Sequence, residues 1–572
     1  MAVIGASNNL GKWGFSTLMS IRDGFKGKIY PVNNRRDDVL GLQSYQRVTD
    51  IPAEVDLAVF VIPAANIDEV MQDCVEKGVK AALIISAGFS ETGEEGKILQ
   101  DRVVKTAAKG GIRIVGPNCM GFWSAPSHLR AFMFPMSVLP GPLGFVSQGG
   151  NVGGAIVMAA YERGIGFDKY VSCGCTADIQ IEDYIEHFGD DPNIKVILTY
   201  IEGLADGRRF IEKVRKVTTK KPVIAMKPGR TLAAAQAIAS HSGALSGSDD
   251  VYEAAFKETG VIRVDSGGEL LDVAMGFLTQ PLPRNNSLAI ITPGGSYGVI
   301  CADACASLGL RVVSLSQETL DELDRLFPPR WSHGNPVDPA GDRNFISYLQ
   351  APPLLLELDE IGSLIYMGFG SFSSFASSLS FFERDETVGV FSSFLSGITG
   401  SEGFLQSMRS TVEEGDRAGL QAQLELALTA LVSIMGSAEE EEVAQLRQMV
   451  SSLMDSGRIV ISAEDFDQLA ESMKHDRAYE AFQNLIINRM DDFLTALIVD
   501  WIERYGKPVV STSFTETVPG LIGGIHYSYP SGERAALVLS KMARYREYLE
   551  KEGIWKEGEF DPFTFTLLGN HQ

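Results

Sequence analysis

Short apolar runs alternate with longer amphipathic stretches in the first part of the chain. The runs lie at residues 2–5, 28–32, 57–62, 81–85 and 113–115, and residues 67–77 form one of the amphipathic stretches. Short apolar strands separated by helices are typical of a parallel sheet that is covered on both faces. The pattern therefore predicts a doubly wound α/β domain, in which ligands bind beyond the carboxyl ends of the strands.

The same alternation restarts twice further along the chain. A stretch rich in Pro, Ser and Gly, residues 125–142, predicts a linker before the second series. The second series has apolar runs at residues 143–147, 196–201, 223–226 and 261–264, and the third has runs at 287–292, 363–366 and 507–510. These series predict three α/β domains over residues 1–125, 140–280 and 284–552, followed by a tail over residues 553–572.

Residues 371–480 interrupt the third series. The region opens with a segment rich in Ser and Phe, and two strongly helical stretches follow at residues 419–435 and 439–454. The second stretch begins with four consecutive glutamates, which favour the N-terminus of a helix. We expect a mostly helical insertion or lid in the third domain.

Composition and charge narrow the class of protein. The chain has 572 residues, of which 45% are hydrophobic, and its formal net charge is −23. Such an acidic chain disfavours a general nucleic-acid-binding function, which needs a basic face. No apolar run reaches the roughly 20 residues of a membrane span, and the first residues lack the pattern of a signal peptide. We expect a cytoplasmic protein.

The six cysteines do not form a recognisable metal or redox motif. They are Cys74, Cys119, Cys173, Cys175, Cys301 and Cys305. Their spacing fits neither a zinc ribbon nor a CxxC redox site. We therefore expect reduced, mostly buried thiols and no metal site.

A glycine-containing loop, Gly5-Ala-Ser-Asn-Asn-Leu-Gly-Lys-Trp-Gly14, follows the first predicted strand and leads into a helix. Glycines permit a tight turn, and the free amides of a helix N-terminus attract phosphate. The second strand ends in Pro31-Val-Asn-Asn34, without the acidic residue that holds an NAD ribose, and Arg35 and Arg36 follow it. The pocket thus favours an additional phosphate, as in CoA or NADP. The alternative is an ordinary glycine turn with solvated arginines.

Two further loops of this type occur in the chain. They are Ser147-Gln-Gly-Gly-Asn151 and Thr292-Pro-Gly-Gly-Ser296, and each follows a predicted strand. The dipole of a helix that follows such a loop stabilises a phosphoryl group by up to about 2 kcal/mol. Three loops of one physical type in one chain indicate phosphate chemistry.

His241 stands among small residues in the segment Ser240-His-Ser-Gly-Ala-Leu-Ser-Gly247. Small neighbours allow backbone amides to approach a bulky anion, so this imidazole is a candidate for carrying a phosphoryl group between two sites. Glu202 follows the predicted strand over residues 196–201, and a carboxylate there can accept a proton from imidazole and fix its orientation. The alternatives are an ordinary loop histidine and a solvated acid at a strand end.

Together these residues resemble the NDP-forming acyl-CoA synthetases, the superfamily of succinyl-CoA synthetase, and within it the α subunit of ADP-forming acetyl-CoA synthetase. The resemblance covers about residues 1–350 and 485–552. Its motifs are Gly5-Ala-Ser7, Gly27-Lys-Ile-Tyr-Pro-Val-Asn33, Ser86-Ala-Gly-Phe89, Glu91-Thr-Gly93, Gly116-Pro-Asn-Cys-Met-Gly121, Ser147-Gln-Gly-Gly150, Tyr200-Ile-Glu-Gly203, Lys221-Pro-Val223, Ser240-His-Ser-Gly-Ala-Leu245 and Asn335-Pro-Val-Asp338. It implies a Rossmann-like CoA-binding domain followed by two flavodoxin-like α/β domains, the third with the helical insertion.

The resemblance also implies roles for individual residues. His241 would be phosphorylated, and Glu202 would orient it. The phosphoryl group would be held by Gly149, Gly150, Asn151, Ser242 and Gly243. CoA would be bound by Ser7, Asn8, Asn9, Leu10, Lys12, Asn33, Arg35, Pro63, Ser86, Ala87 and Gly88, and its thiol and the acyl group would lie near Asn118 and Cys119.

The implied reaction has three reversible steps. Acyl-CoA and phosphate give an acyl phosphate and CoA, the acyl phosphate phosphorylates His241, and the phosphohistidine converts ADP to ATP. The sequence contains no recognisable ATP-grasp region. The resemblance therefore implies that ADP or ATP and Mg²⁺ bind to a separate ATP-grasp β subunit, in an α2β2 assembly.

Two features depart from the family pattern. Gly174-Cys-Thr-Ala-Asp178 stands where Gly-Asn-Lys-Ala-Asp is usual, and the insertion is not expected. They leave open a non-catalytic CoA-binding protein of the same fold, whereas the missing acidic residue disfavours a dinucleotide-dependent oxidoreductase. The sequence also does not identify the carboxylic acid substrate. Small residues around Asn118 suit a short acyl group, and Phe122 and Trp123 suit an aryl pocket.

Overall fold

The computed structural model describes most of residues 1–555 as two compact units. One unit is Met1–Ala274, to which the chain returns at Glu547, and the other is Met275–Arg546. Outside the described part lie residues 232, 235–247, 342–344, 369–401, 436–439, 460–461, 463–464, 466, 470, 472–477, 514–519, 523–525 and 556–572.

The first sheet consists of parallel strands that alternate with helices. The strands of this region are β1 (Ala2–Ile4), β2 (Tyr30–Val32), β3 (Asp38–Val39), β4 (Leu42–Gln43), β5 (Leu57–Phe60), β6 (Ala81–Ile84) and β7 (Arg113–Val115). Five of them form the sheet in the order β2-β1-β5-β6-β7, and β3 and β4 form a separate hairpin. The helices are α1 (Trp13–Arg22), α2 (Ile67–Lys77) and α3 (Glu94–Lys109), with three-residue 3₁₀ helices at Val48–Asp50, Ala64–Asn66 and Ser90–Thr92.

Successive residues of β1 belong to different hydrophobic clusters. Ala2 and Ile4 lie in a cluster with Phe60, whereas Val3 lies in a second cluster with Val59. Because side chains alternate along a strand, these clusters cover opposite faces of the sheet. A sheet that is buried on both faces explains the continuous apolar runs and confirms the predicted doubly wound α/β architecture.

The second sheet has seven strands in the order β14-β13-β12-β10-β11-β8-β9. They are β8 (Gly121–Ser124), β9 (Leu129–Phe132), β10 (Leu143–Ser147), β11 (Phe167–Ser172), β12 (Val196–Tyr200), β13 (Val223–Met226) and β14 (Ile262–Val264). The helices are α4 (Gly150–Glu162), α5 (Ile181–Asp190), α6 (Gly207–Thr218), α7 (Asp249–Thr259) and α8 (Gly267–Thr279). β10 to β14 are parallel, and β8 and β9 form an antiparallel edge.

The apolar runs did not predict β8, β9 or β11 of this sheet. β9 lies within the stretch that we predicted to be a linker, and Asp168 and Lys169 interrupt the apolar run of β11. Residues at one face of the β8–β9 hairpin are buried and those at the other are partly exposed, as at Trp123 and Phe122. A half-buried edge strand alternates apolar and polar residues, so β8 and β9 leave no continuous apolar run in the sequence.

The third sheet is parallel, with the strand order β16-β15-β17-β18. Its strands are β15 (Ser287–Ile291), β16 (Arg311–Val312), β17 (Ser363–Gly368) and β18 (Val509–Ser513), and β19 (Gly520–Ile522) pairs with β20 (His526–Ser528). The helices are α9 (Gly295–Ser307), α10 (Gln317–Leu326), α11 (Phe345–Leu356), α12 (Glu402–Glu413), α13 (Arg417–Met435), α14 (Glu440–Asp455), α15 (Ala478–Tyr505) and α16 (Gly532–Lys551). None of the helices in the described residues has the length and apolarity to cross a membrane.

The two helices predicted within the insertion agree with α13 and α14 to within two residues at each end. Leu424 of α13 and Leu453 of α14 lie in the same buried cluster as Ile291 of β15 and Tyr366 of β17. This part of the insertion therefore contributes to the hydrophobic core of the third sheet.

Candidate active site

A large cleft lies at the carboxyl ends of the strands of the first two sheets. Its volume is about 2530 Å³, above the roughly 300–1,000 Å³ of an ordinary small-molecule site. Of the residues proposed to bind CoA, acyl group or phosphoryl group, the lining includes Ser7, Lys12, Asn33, Arg35, Pro63, Ser86, Ala87, Asn118, Cys119, Gly149, Gly150, Asn151 and Glu202. The fold thus collects residues from seven loops into one cavity wall.

The first glycine loop packs backbone against backbone. Gly5 has φ +89°, and a Cβ atom there would lie 2.3 Å from the carbonyl oxygen of Val61. A Cβ atom on Gly14 would lie 1.9 Å from the carbonyl oxygen of Gly5. Only glycine fits at these two positions, and the close approach brings the start of α1 against the end of β1.

Asn33 fixes the neighbouring loop. Its Nδ2 donates to the carbonyl oxygen of Ala6 at 2.8 Å, and its Oδ1 accepts the backbone N–H of Arg35 at 2.9 Å. The carboxamide therefore joins the loop after β1 to the loop after β2. Arg35, which follows the strand end that lacks the acidic residue of an NAD-binding domain, lies in the cleft wall.

Four residues predicted to bind CoA lie outside the cleft lining. Asn8 donates to the carbonyl oxygen of Asp38 and accepts the N–H of Leu40, and Asn9 accepts the N–H of Gly11. The side chain of Leu10 is 77% exposed. The N–H of Gly88 donates to the Glu91 carboxylate, which also accepts the N–H of Phe89. The polar groups of Asn8, Asn9 and Gly88 thus shape the loops through hydrogen bonds within the chain.

Asn118 and Cys119 lie where the first and second sheets meet. Asn118 has φ +57°, and its N–H donates to the carbonyl oxygen of Ser86 at 3.0 Å. The Cys119 thiol donates to the carbonyl oxygen of Ile84 at 3.3 Å, and burial raises its pKa to about 12. The thiol therefore stays protonated at neutral pH and is a poor nucleophile, although Cys119 lines the cleft.

The aryl pocket that Phe122 and Trp123 suggested does not form around the Trp123 ring. Trp123 is buried in the second sheet, and its indole N–H donates to the carbonyl oxygen of Phe167 at 2.8 Å. The expectation was wrong for this residue, because an indole whose N–H is satisfied inside a sheet does not face a ligand.

The segment that departs from the family pattern also borders the cleft. Gly174, Cys175 and Thr176 are part of the lining. The Cys175 thiol lies 3.4 Å from Oε2 of Glu91, and burial followed by the charge of Glu91 raises its pKa to about 11. Asp178 pairs with Arg113 at 2.9 Å, so this segment is tied to the first sheet.

The second glycine loop ends at the N-terminus of α4. A Cβ atom on Gly149 would lie 2.8 Å from Cε1 of Tyr200 and 3.1 Å from Oε1 of Glu202. A Cβ atom on Gly150 would lie 2.8 Å from Cγ of Met120. Glycines keep this space open, and the amides of the first helical turn border it.

Glu202 follows β12 and is held through its backbone by Gln148. Oε1 of Gln148 accepts the N–H of Glu202 at 2.6 Å and that of Gly203 at 3.0 Å, and its Nε2 donates to the carbonyl oxygen of Gly203 at 2.9 Å. Burial, with a smaller effect of the Glu202 charge, raises the pKa of Tyr200 to about 12. Sequence reasoning noticed Gln148 only as part of the glycine motif, although an amide beside such a loop is suited to bind neighbouring backbone groups.

His241, Ser242 and Gly243 lie outside the described residues. The chain approaches them from β13, where Met226 pairs with Tyr200 of β12, and leaves them at Asp249, where α7 begins. The strand that precedes the histidine segment is therefore the direct neighbour of the strand that precedes Glu202.

Three family profiles match consecutive parts of the chain. A CoA binding domain matches residues 1–124, a succinyl-CoA ligase-like flavodoxin domain matches residues 140–277, and a Ligase-CoA domain matches residues 288–380. The order is the one that the sequence motifs predicted.

Two ADP-forming acetate–CoA ligases are similar to this chain over the same region. The α subunit of acetate–CoA ligase (ADP-forming) II from Pyrococcus furiosus is 42% identical over 365 residues, which are 64% of this chain and 79% of the relative. An acetate–CoA ligase (ADP-forming) from Methanocaldococcus jannaschii is 41% identical over 342 residues, which are 60% of this chain but about half, 48%, of that longer relative.

A solved structure extends the similarity to nearly the whole chain. The dinucleotide-forming acetyl-coenzyme A synthetase 1 of Ca. Korarchaeum cryptofilum, in complex with phosphate and ADP, is 26% identical with a TM-score of 0.67. The match covers 96% of this chain and 97% of that chain.

Proposed function

This chain belongs to the family of ADP-forming acetate–CoA ligases, and we propose that it supplies the CoA-binding and phosphoryl-carrying parts of an ADP-forming acid–CoA ligase. The observation that carries the proposal is the cleft, which joins the CoA-type loops of the first sheet to Gly149, Gly150 and Glu202 of the second. A single cavity of that extent allows CoA to deliver its thioester to the phosphate-binding loop.

CoA binds along the first sheet in this proposal. Ser7 and Lys12 lie near its phosphates, Arg35 neutralises a phosphate at the end of β2, and Pro63, Ser86 and Ala87 line its chain. Asn118 lies near the thioester and orients it through the carboxamide. The hydrogen bonds of the Asn8 and Asn9 side chains and of the Gly88 N–H hold the shape of these loops, so these residues support the CoA site without lining the cleft.

The chemistry begins with attack of phosphate on the thioester carbonyl of acyl-CoA. The C–S bond breaks, and the products are acyl phosphate and free CoA. The amides of Gly149, Gly150 and Asn151 stabilise the phosphate oxygens at the positive end of α4, where an anion gains up to about 2 kcal/mol.

His241 then attacks the phosphorus of the acyl phosphate, which releases the carboxylic acid and leaves phosphohistidine. Glu202 accepts the N–H of the imidazole, so the other ring nitrogen is free to act as the nucleophile. Ser242 and Gly243 hold the phosphoryl group. ADP finally takes the group from His241 to give ATP, and each step is reversible.

Nucleotide and Mg²⁺ belong to a partner in this proposal. Within the described residues, no group of three or more His, Cys, Asp and Glu side chains is arranged to hold a metal ion. We propose a separate ATP-grasp β subunit, in an α2β2 assembly, as the site of ADP or ATP and the metal.

The proposal is tested by phosphate labelling of the full chain together with its ATP-grasp partner. Radiolabelled phosphate, Mg²⁺ and a panel of acyl-CoAs should give an acid-labile, base-stable label on this chain. His241→Ala should abolish the label, whereas His187→Ala, which removes an exposed histidine of α5, should leave it intact. The acyl-CoA that labels fastest identifies the substrate class.

A non-catalytic CoA-binding role is the second candidate, and the altered segment around Cys175 favours it. It predicts that the wild-type chain binds CoA but acquires no label with the partner present. Labelling that persists in His241→Ala would contradict the assignment of the phosphorylated residue.

A further inference from the structure

A buried lysine stands beside the strand that ends at the candidate acid. Lys227 follows β13 directly, and its side chain is almost fully buried, with 4% exposure for the residue. Nζ donates to the carbonyl oxygen of Pro228 at 2.6 Å. Lys227 is not part of the cleft lining, so it does not contact a ligand there directly. Burying an ammonium group costs free energy unless neighbouring groups compensate its charge.

The lysine is linked to the Glu202 loop through Tyr252. Nζ of Lys227 lies 4.5 Å from the centre of the Tyr252 ring, within the distance of a cation–π interaction. The Tyr252 hydroxyl accepts the N–H of Leu204 at 3.2 Å. Leu204 lines the cleft two residues after Glu202, so the lysine supports the tyrosine that holds the cleft wall.

A guanidinium fixes both partners of this interaction. Arg263 of β14 donates to the carbonyl oxygen of Lys227 at 3.2 Å. It also pairs with Asp249 and Glu253 of α7, the helix that carries Tyr252. The backbone of the lysine and the helix of the tyrosine are therefore joined at one buried side chain, which leaves the Lys227–Tyr252 pair little freedom to rearrange.

Burial and the carboxylates around Lys227 shift its pKa in opposite directions. Burial and Arg263 lower the pKa of Lys227, whereas Asp249 and Glu202 act in the opposite direction. The carboxylates of Asp249 and Glu202 thus favour the charged form of the lysine, whereas burial and the Arg263 guanidinium disfavour it.

We infer that Lys227 is a positioning residue for Glu202: through its contact with the Tyr252 ring and the hydrogen bond from Leu204 to Tyr252, it fixes the loop that carries the carboxylate. This role rests on the proposed function, because it acts on the phosphoryl transfer that Glu202 serves. It assigns Lys227 to the transfer step and not to the binding of CoA.

The matched experiment compares two lysines at opposite ends of β13. Lys227→Met removes the ammonium after the strand, and Lys227→Arg restores a charge. Lys221→Met is the control, because Lys221 precedes the same strand and its Nζ also donates to backbone carbonyls, those of Phe188 and Asp191. Each variant is made in the full chain and is assayed with the ATP-grasp partner for the labelling rate, CoA affinity and amide hydrogen exchange.

Lys227→Met should slow the labelling of the chain by about tenfold or more while the Kd for CoA changes by less than about twofold. Amide exchange in residues 202–205 should become faster, and Lys227→Arg should recover most of the labelling rate. Tyr252→Phe should raise exchange at Leu204, because it removes the acceptor of that N–H.

Wild-type labelling separates the two proposals. If the wild-type chain with its partner is not labelled, the proposed function fails and the role of Lys227 fails with it. If the wild-type chain is labelled and Lys227→Met is labelled as fast, only the positioning role is rejected. An equal loss in Lys221→Met would also reject it, since the effect would then be one of strand stability.

Discussion

Oε1 of Gln148 accepts the backbone N–H of Glu202 at 2.6 Å, and this bond joins the loop before α4 to the loop after β12. The same oxygen accepts the N–H of Gly203, and Nε2 returns a bond to the Gly203 carbonyl oxygen. One uncharged side chain thereby links the N-terminus of α4, the proposed phosphate site, to the acid that serves the proposed phosphohistidine.

Replacing Gln148 by Leu should impair transfer without impairing CoA binding. The change leaves the partly buried N–H groups of Glu202 and Gly203 without this acceptor, and a fully buried orphan group costs about 1–3 kcal/mol. We expect a fall in kcat of roughly 10- to 100-fold, with the Kd for CoA unchanged. Stopped assays of labelling and equilibrium CoA binding measure the two effects. Gln317→Leu, which alters an exposed glutamine at the start of α10, should behave as wild type, and equal loss in both variants would contradict the role.

Gly14→Ala should abolish CoA binding. The added Cβ atom would lie 1.9 Å from the carbonyl oxygen of Gly5, and neither backbone can yield without moving α1 away from β1. Gly207→Ala is the control, because no atom lies within 4 Å of its added Cβ and alanine favours the start of α6. Calorimetric titration with CoA measures the difference, and retained binding in Gly14→Ala would show that the loop is not used.

The sequence predicted most of the buried strands and α2, because a sheet buried on both faces leaves continuous apolar runs and a surface helix leaves a 3.6-residue period. It did not predict β8, β9 or β11, nor the register of the second sheet. The edge hairpin exposes one face, so its apolar positions alternate, and the Pro, Ser and Gly around it resemble a linker.

The site could be predicted only where a residue type already implies its chemistry. Glycines at strand ends and a carboxylate at Glu202 have such a signature, and the structure brings them to one cleft. Gln148, Tyr252 and Lys227 have none, because their partners are backbone groups or rings that are distant in sequence. Tertiary contacts of this kind are set by the strand order, which local patterns do not contain.

His526 should make the third sheet sensitive to acid. The residue is 1% exposed, its Nε2 lies 2.6 Å from the Ser511 hydroxyl, and burial lowers its pKa from 6.5 to about 4. The unfolded chain therefore binds a proton below pH 6.5 that the folded chain does not bind until about pH 4. Unfolding is favoured progressively across that interval, by up to about 3 kcal/mol at its lower end.

Hydrogen exchange as a function of pH tests this locally. After correction for intrinsic exchange, protection of β18 and β20 should fall between pH 6.5 and 4, while β12 of the other unit keeps its protection. His526→Gln should remove the pH dependence even if it lowers the stability at pH 7. A wild-type stability that is flat across this interval would show that the histidine is not held neutral.

Cys175 should be the only one of the six thiols to react with iodoacetamide in the folded chain, and it should react slowly. The other five cysteines are buried, whereas Cys175 is partly exposed and lines the cleft. Because its pKa is raised to about 11, only about one thiol in a thousand is ionised at pH 8. The rate should rise about tenfold for each pH unit up to pH 10.

Acetyl-CoA tests whether this thiol faces the substrate. The thioester has no free thiol to consume the reagent, so protection of Cys175 reports occupation of the cleft near Asn118. Peptide mass spectrometry quantifies the label, and Cys175→Ser provides the background. Rapid alkylation at pH 7 would contradict the buried environment beside Glu91. Slow alkylation that acetyl-CoA leaves unchanged would place the acyl group elsewhere in the cleft, away from the segment that departs from the family pattern.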